Sequence, residues 1–209
     1  MSPINDNVFL RAAHAREYCA DAPGGVEVWK YAFPLAAQEP VEDIHVRYTH
    51  APYTRGAPWT GIFECARGRH VEVLPWPAAN AIVVAAANAV YIVDPADPEQ
   101  FSGLAAPVEI NGITFDESAQ HMFVADSLRV YAFSADRRFR WISEPLDGYD
   151  ARFRGCGRRM LAVEIKQSEP GPDGEEAAPS VIRLRTEDGT ILRSRFRLVH
   201  DYWVNNAAA

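Results

Sequence analysis

The sequence predicts a mainly β protein: antiparallel meander sheets of a propeller-like kind, preceded by one N-terminal α-helix. Three observations carry that reading. First, Glu42 to Tyr48 alternates strictly, with Ile44, Val46 and Tyr48 on one face and Asp43, His45 and Arg47 on the other. That is the period of a half-buried strand. Second, prolines at 34, 40, 52, 58, 75, 77, 95, 98 and 107 punctuate the chain evenly. Proline cannot donate a ladder hydrogen bond, so these positions mark loops and edges between many short strands. Third, the chain repeats itself at an offset of forty residues.

In chain order, Asn5 to Ala20 carries the helix. Asn5 or Asp6 caps it, Val8, Ala12, Ala15 and Cys19 recur at helical spacing, and Pro23-Gly24-Gly25 follows as a turn. Val26 to Phe33 is rich in β-branched and aromatic residues and reads as a strand. Thr60 to Ala66 and Arg69 to Leu74, separated by Arg67-Gly68, read as a hairpin. Gln167 to Pro179 (QSEPGPDGEEAAP) is acidic, Pro- and Gly-rich and without an apolar anchor, which predicts a flexible loop. A single domain is drawn over 1–206, leaving out Ala207-Ala208-Ala209.

The repeat superposes Ala79, Val84, Ala85, Val90 and Tyr91 on Ala119, Val124, Ala125, Val130 and Tyr131 without a gap. Each copy reads strand, tight turn, strand, turn. A looser third copy runs through Met160 to Val163, the long loop, Val181 to Leu184, Glu187-Asp188-Gly189 and Thr190 to Leu198. Val130-Tyr131-Ala132-Phe133-Ser134-Ala135-Asp136, followed by Phe139-Arg140-Trp141, resembles the strand pair of quinoprotein-type β-propeller blades. The resemblance spans about residues 80–198 and implies strand topology only. Three or four such units fit in the chain, fewer than a usual closed ring, and the cofactor residues of that family have no counterparts here.

Composition narrows the function classes. The 209 residues are 48% hydrophobic and 23% charged, ordinary for a globular domain. With 21 cations against 28 acids the net charge is −7, which disfavours nucleic acid, whose affinity comes mainly from phosphate neutralisation. The acidic excess lies wholly in residues 1–133 and suits a basic protein partner. Only Lys30 and Lys166 are lysines; the arginine and alanine bias fits GC-rich bacterial coding. Cys19, Cys65 and Cys156 have no disulfide or metal spacing, no secretory signal opens the chain, and no apolar run approaches a membrane span. A cytoplasmic protein is expected.

Candidate chemistry is sparse. His14, His45, His50, His70, His121 and His200 form no metal-binding motif. Cys156 sits in Gly155-Cys156-Gly157, read as a tight turn, beside Arg154 and Arg158, whose field would activate a thiol. The carboxylate pairs Asp94/Asp97, Asp116/Glu117 and Asp147/Asp150 fall in predicted turns, where Asp caps its own backbone. Arg183, Arg185, Arg193, Arg195 and Arg197 form a solvated stripe. No catalytic residue, metal ligand or cofactor is assigned.

Recognition is the remaining class. Tyr48 to Gly61 gathers Tyr53, Arg55 and Trp59 in a Pro/Gly-rich loop, and Trp76 between two prolines extends the same surface. These are the residue types of binding hot spots, so Tyr53, Arg55, Trp59 and Trp76 are the expected binding residues. The expected function is a non-catalytic protein-binding module, in one form an immunity-type inhibitor of a bacterial toxin. The alternative is a small-ligand-binding protein or enzyme with a loop-lined pocket.

Overall fold

The computed structural model describes residues 13–17, 27–32, 41–48, 59–66, 71–166 and 179–192. Among them, sixteen strands form four four-stranded sheets. The first sheet holds β1 (Ala13–Glu17), β2 (Glu27–Ala32), β4 (Trp59–Ala66) and β3 (Val41–Tyr48), in that order. The second is β5 (Val71–Trp76), β6 (Ala81–Ala86), β7 (Ala89–Val93) and β8 (Phe101–Ala105). The third is β9 (Ile110–Phe115), β10 (His121–Asp126), β11 (Val130–Ser134) and β12 (Phe139–Ile142). The fourth is β13 (Tyr149–Cys156), β14 (Met160–Lys166), β15 (Ser180–Arg185) and β16 (Ile191–Leu192). The last three are antiparallel meanders. No helix among the described residues is long and apolar enough to cross a membrane.

Mainly β, antiparallel architecture is thus what the chain forms, with three corrections. Residues 13–17, expected inside the helix, are strand β1, paired antiparallel from Ala13 with Ala32 to Glu17 with Val28; the rest of Asn5 to Ala20 lies outside the described residues. A waiting sheet edge satisfies the backbone groups that so short a segment turns toward it, which a helical spacing of small residues does not outweigh. Second, β4 and β5 are not a hairpin. β4 pairs with β3 antiparallel and with β2 parallel, while β5 turns to β6. Third, Gly155 and Cys156 belong to β13, and the turn comes after them. The segment 167–178 lies outside the described residues.

The forty-residue repeat is a repeat of register. Val84 faces Tyr91 and Ile82 faces Val93 in the second sheet, as Val124 faces Tyr131 and Met122 faces Phe133 in the third. In the fourth sheet Leu161 and Val163 face Leu184 and Ile182, the inner pair of the third copy.

The sheets stack face to face. Between the first and second lie Trp29, Tyr31, Trp59 and Phe63 against Val84, Ala86, Tyr91 and Val93. Between the second and third lie Val83, Ala85, Val90, Ile92 and Leu104 against Ile113, Met122, Val124, Tyr131 and Phe133. Between the third and fourth lie Phe123, Ala125, Val130, Ala132 and Trp141 against Ala151, Leu161, Val163, Ile165 and Leu184. Alternate residues of one strand therefore serve two different cores, which is why β6 and β10 read as unbroken apolar runs rather than alternating ones. Each fully buried Val, Leu or Phe contributes about 1.5–3 kcal/mol.

Ala85 is fully buried on the face that meets the third sheet. Ala85→Leu is expected to cost about 1–3 kcal/mol by overpacking. Val73→Ala, at a residue 44% exposed, should stay within about 0.5 kcal/mol. Urea midpoints of the two variants check the contrast.

Candidate functional site

Turns at one end of the stack are tied together by side chains crossing from sheet to sheet. From the first sheet, Trp59 Nε1 donates to the Pro95 carbonyl at 2.9 Å and Tyr31 Oη to that of Pro98 at 2.9 Å. From the second, Trp76 Nε1 donates to the Ala119 carbonyl at 2.6 Å. From the third, Trp141 Nε1 donates to the Thr186 carbonyl at 2.9 Å. In the opposite direction, Arg137 of the β11–β12 turn donates to the carbonyls of Ala79 and Asn80 and pairs with Asp94 at 2.9 Å. The fourth sheet closes its own turns, Thr186 donating from N and Oγ1 to the carbonyls of Arg159 and Arg158. Six turns (77–80, 94–100, 116–120, 135–138, 157–159 and 186–190) are thereby joined in one hydrogen-bonded surface.

Two of the four expected binding residues are part of this framework. Trp59 is 1% exposed and Trp76 0%. Each spends its ring on a core and its N–H on a carbonyl, so neither offers a free hot-spot surface. Tyr53 and Arg55 lie outside the described residues.

Between the third and fourth sheets the turn surface opens into a groove of about 750 Å³, lined by Asp116, Glu117, Gln120, His121, Arg158 and Trp141 among others. Its lining includes a pair that sequence reasoning did not connect. His121 Nδ1 lies 2.8 Å from Asp116 Oδ2. The other carboxylate oxygen, Oδ1, accepts from Ser118 Oγ at 3.0 Å and from the Gln120 N–H at 2.9 Å. Asp116 and His121 are also backbone neighbours closing the β9–β10 turn, the Asp116 N–H donating to the His121 carbonyl. Burial opposes ionisation of Asp116, but the donors of His121, Ser118 and the backbone outweigh it and hold the carboxyl below its ordinary range. Facing an ionised Asp116, Nδ1 is the nitrogen that carries a proton; in the neutral ring Nε2 is then a hydrogen-bond acceptor. The His121 side chain is 41% exposed against 11% for Asp116, so the ring is the part that solvent reaches.

Three other groups are structural. Asp126, fully buried as the last residue of β10 at the far end, accepts from the N–H groups of Leu128 and Arg129 at 2.6 Å and from Tyr131 Oη at 2.7 Å. Burial pushes its carboxyl up, against the pull of those donors. Asp94 and Asp97 cap their turn through the Ala96 N–H and Gln100 Nε2. Cys156 is half-buried, and burial together with the charges of Asp116 and Glu117 pushes its thiol up to about 11. The neighbouring arginines do not activate it; Arg154 is held by Glu164 at 2.6 Å. Among the described residues no group of three or more His, Cys, Asp or Glu side chains is placed to hold a metal ion.

Compared with known proteins, the chain matches no family model, and no curated protein is significantly similar to it.

Two solution measurements test this geometry. A carboxyl depressed in the folded state stabilises above its unfolded pKa, and that stabilisation is lost as pH falls through the folded value. Asp116→Asn is therefore expected to be less stable than the parent at pH 7, with the gap shrinking toward pH 2, as read from urea midpoints. For Cys156, iodoacetamide alkylation at neutral pH should run at least tenfold slower than for free cysteine, because little thiolate is present; mass spectrometry of the modified peptide gives the rate.

Proposed function

We propose that the protein is a non-catalytic recognition module that binds another protein through the turn-bearing end of its sheet stack. The observation that carries this is the cross-bracing of six turns by Trp59, Trp76, Arg137, Trp141 and Thr186. Loops held before a partner arrives lose little conformational entropy on binding, which is what a recognition surface needs. The arrangement is propeller-like on this reading: successive four-stranded meanders stacked face to face with repeated register support it, in keeping with the likeness to quinoprotein-type blade topology. The net charge of −7 favours a basic partner. An immunity-type inhibitor of a bacterial toxin, acting in the cytoplasm, is the concrete form of this proposal.

A photo-crosslinking residue placed in turn at Asp97 and Arg138 on the braced end, and at Leu128 on the far end, tests it in native cells. One discrete protein adduct is expected from the first two positions and none from the third. Equal adducts from both ends, or none from either, would overturn the proposal.

The groove favours a second reading, a small-ligand site built on His121 and Asp116. A metabolite panel that raises the melting temperature of the parent protein and not of His121→Ala would move the protein into that class.

A further inference from the structure

The internal repeat provides a control for the groove. At the forty-residue offset Trp76 corresponds to Asp116 and Ala81 to His121, and each couple is the last cross-strand pair before the turn of its first hairpin. The faces correspond as well. Trp76 and Ala81 lie in the core shared with the third sheet. In the third sheet Phe115, Met122 and Val124 pack toward the second, while Phe123 and Ala125 pack toward the fourth, so by alternation Asp116 and His121 face the fourth. Between the second and third sheets this corner is filled by the indole of Trp76, whose ring lies 5.8 Å from that of Phe115. Between the third and fourth the indole is replaced by a carboxylate and an imidazole, and the corner stands open as the groove.

The Asp116–His121 pair is thus no requirement of the fold, since the second sheet builds the same hairpin from Trp76-Pro77-Ala78-Ala79-Asn80-Ala81. The indole is not needed to tie down the fourth sheet's first turn either. The carbonyls of Arg158 and Arg159 are already taken by Thr186. What the replacement adds is His121 Nε2, an acceptor in the neutral ring, on the lining of a space shaped at the neighbouring junction for an aromatic ring. Arg158 of the fourth sheet and Glu117 of the third approach across that space at 3.7 Å, both largely exposed. So exposed a pair contributes little; it parts readily and leaves a guanidinium free to lie on a ring.

We propose that the groove is an anchor site for an aromatic side chain carrying an N–H or O–H donor, tryptophan foremost, presented by a partner protein. The ring takes the place that Trp76 holds one junction earlier, its N–H donates to His121 Nε2, and Arg158 covers its face. The partner identity rests on the recognition reading above; the groove chemistry does not.

Titration of the full chain with N-acetyltryptophanamide, followed by NMR, tests the proposal, with N-acetylphenylalaninamide and inorganic phosphate as comparison probes. Saturable shifts are expected at the Trp141 indole N–H and the Gln120 and Thr186 amides. The phenylalanine probe should bind at least fivefold more weakly, having no donor for Nε2, and phosphate should leave these signals in place. His121→Ala should lower the tryptophan probe to the phenylalanine level. Asp116→Trp with His121→Ala transplants the second sheet's corner and should abolish the response; should that variant fail to fold, His121→Ala alone decides. No saturable shift at the groove, equal binding of the two amides, an unchanged His121→Ala variant, or a groove that answers phosphate and not tryptophanamide would each overturn the proposal. A partner cross-linked from the braced end with no probe binding leaves recognition standing and removes the anchor. Probe binding lost in His121→Ala, with cross-links equal from both ends, does the reverse.

Discussion

The structure depends on one constraint: the second and third sheets are buried on both faces. A strand in that position cannot alternate apolar with polar, and it must also keep its volume low wherever two neighbours close in. Sheets pack at about 10 Å, and the chain meets that spacing by mixing sizes. Ala85, Ala86, Ala125 and Ala132 are fully or almost fully buried, and they interleave with Val83, Tyr91, Phe123 and Tyr131. Polar groups that ride on the large residues must then leave the core at its rim. That is where Tyr31, Trp59, Trp76 and Trp141 find carbonyls in the next sheet's turns. Core packing and turn rigidity are therefore one property. The indole that fills a junction also pins the loop above it.

Gly189 shows how tight that coupling is. It sits at positive φ (71°) in the β15–β16 turn, and a Cβ there would run into the six-membered ring of Trp141. The residue at the matching left-handed position of the third sheet's turn is Arg137 (φ 63°), whose side chain reaches back to the second sheet instead. The same backbone bend thus serves opposite ends: at one junction it exports a guanidinium clamp, at the next it makes room for an incoming indole. Quasi-equivalent junctions are closed by different chemistry: the corner that Trp76 fills between the second and third sheets stands open between the third and fourth.

This explains what was legible in the sequence. Residues 71–142 could be read because each strand–turn–strand unit closes on itself, so proline spacing and the forty-residue offset carry the pairing. The first sheet could not be read in this way. Its parallel β2–β4 pair skips over β3, and the helical spacing of Ala12, Ala15 and Cys19 competes with a sheet edge that no local pattern reveals. The burial of Trp59 and Trp76 was hidden for a related reason. Flanking prolines look the same whether a tryptophan caps a loop or enters the next core. The Asp116–His121 pair did leave a signal: laid over Trp76 and Ala81, it is the place where the repeat exchanges apolar corner residues for polar ones. A repeat is informative where it matches, and more so where it fails to.

The same logic describes how the stack ends. The side of the fourth sheet turned away from the third carries Arg152, Arg154, Glu164, Lys166 and Arg185 around an exposed Met160, and it is laced with ion pairs. Arg154 holds Glu164, while Arg152 and Lys166 share Asp150. A further sheet laid on this face would have to desolvate those charges without new partners, a cost of several kcal/mol per ion. The inner strands β6, β7 and β11 of the second and third sheets carry no charged residue, and β10 carries only His121 and Asp126, at its two ends. In a stack of repeated units, a polar outer face is what a terminal unit has. Among the described residues the fourth sheet is the terminal one of the stack, and in the corner beside it a missing side chain leaves space at the surface rather than a void in the core.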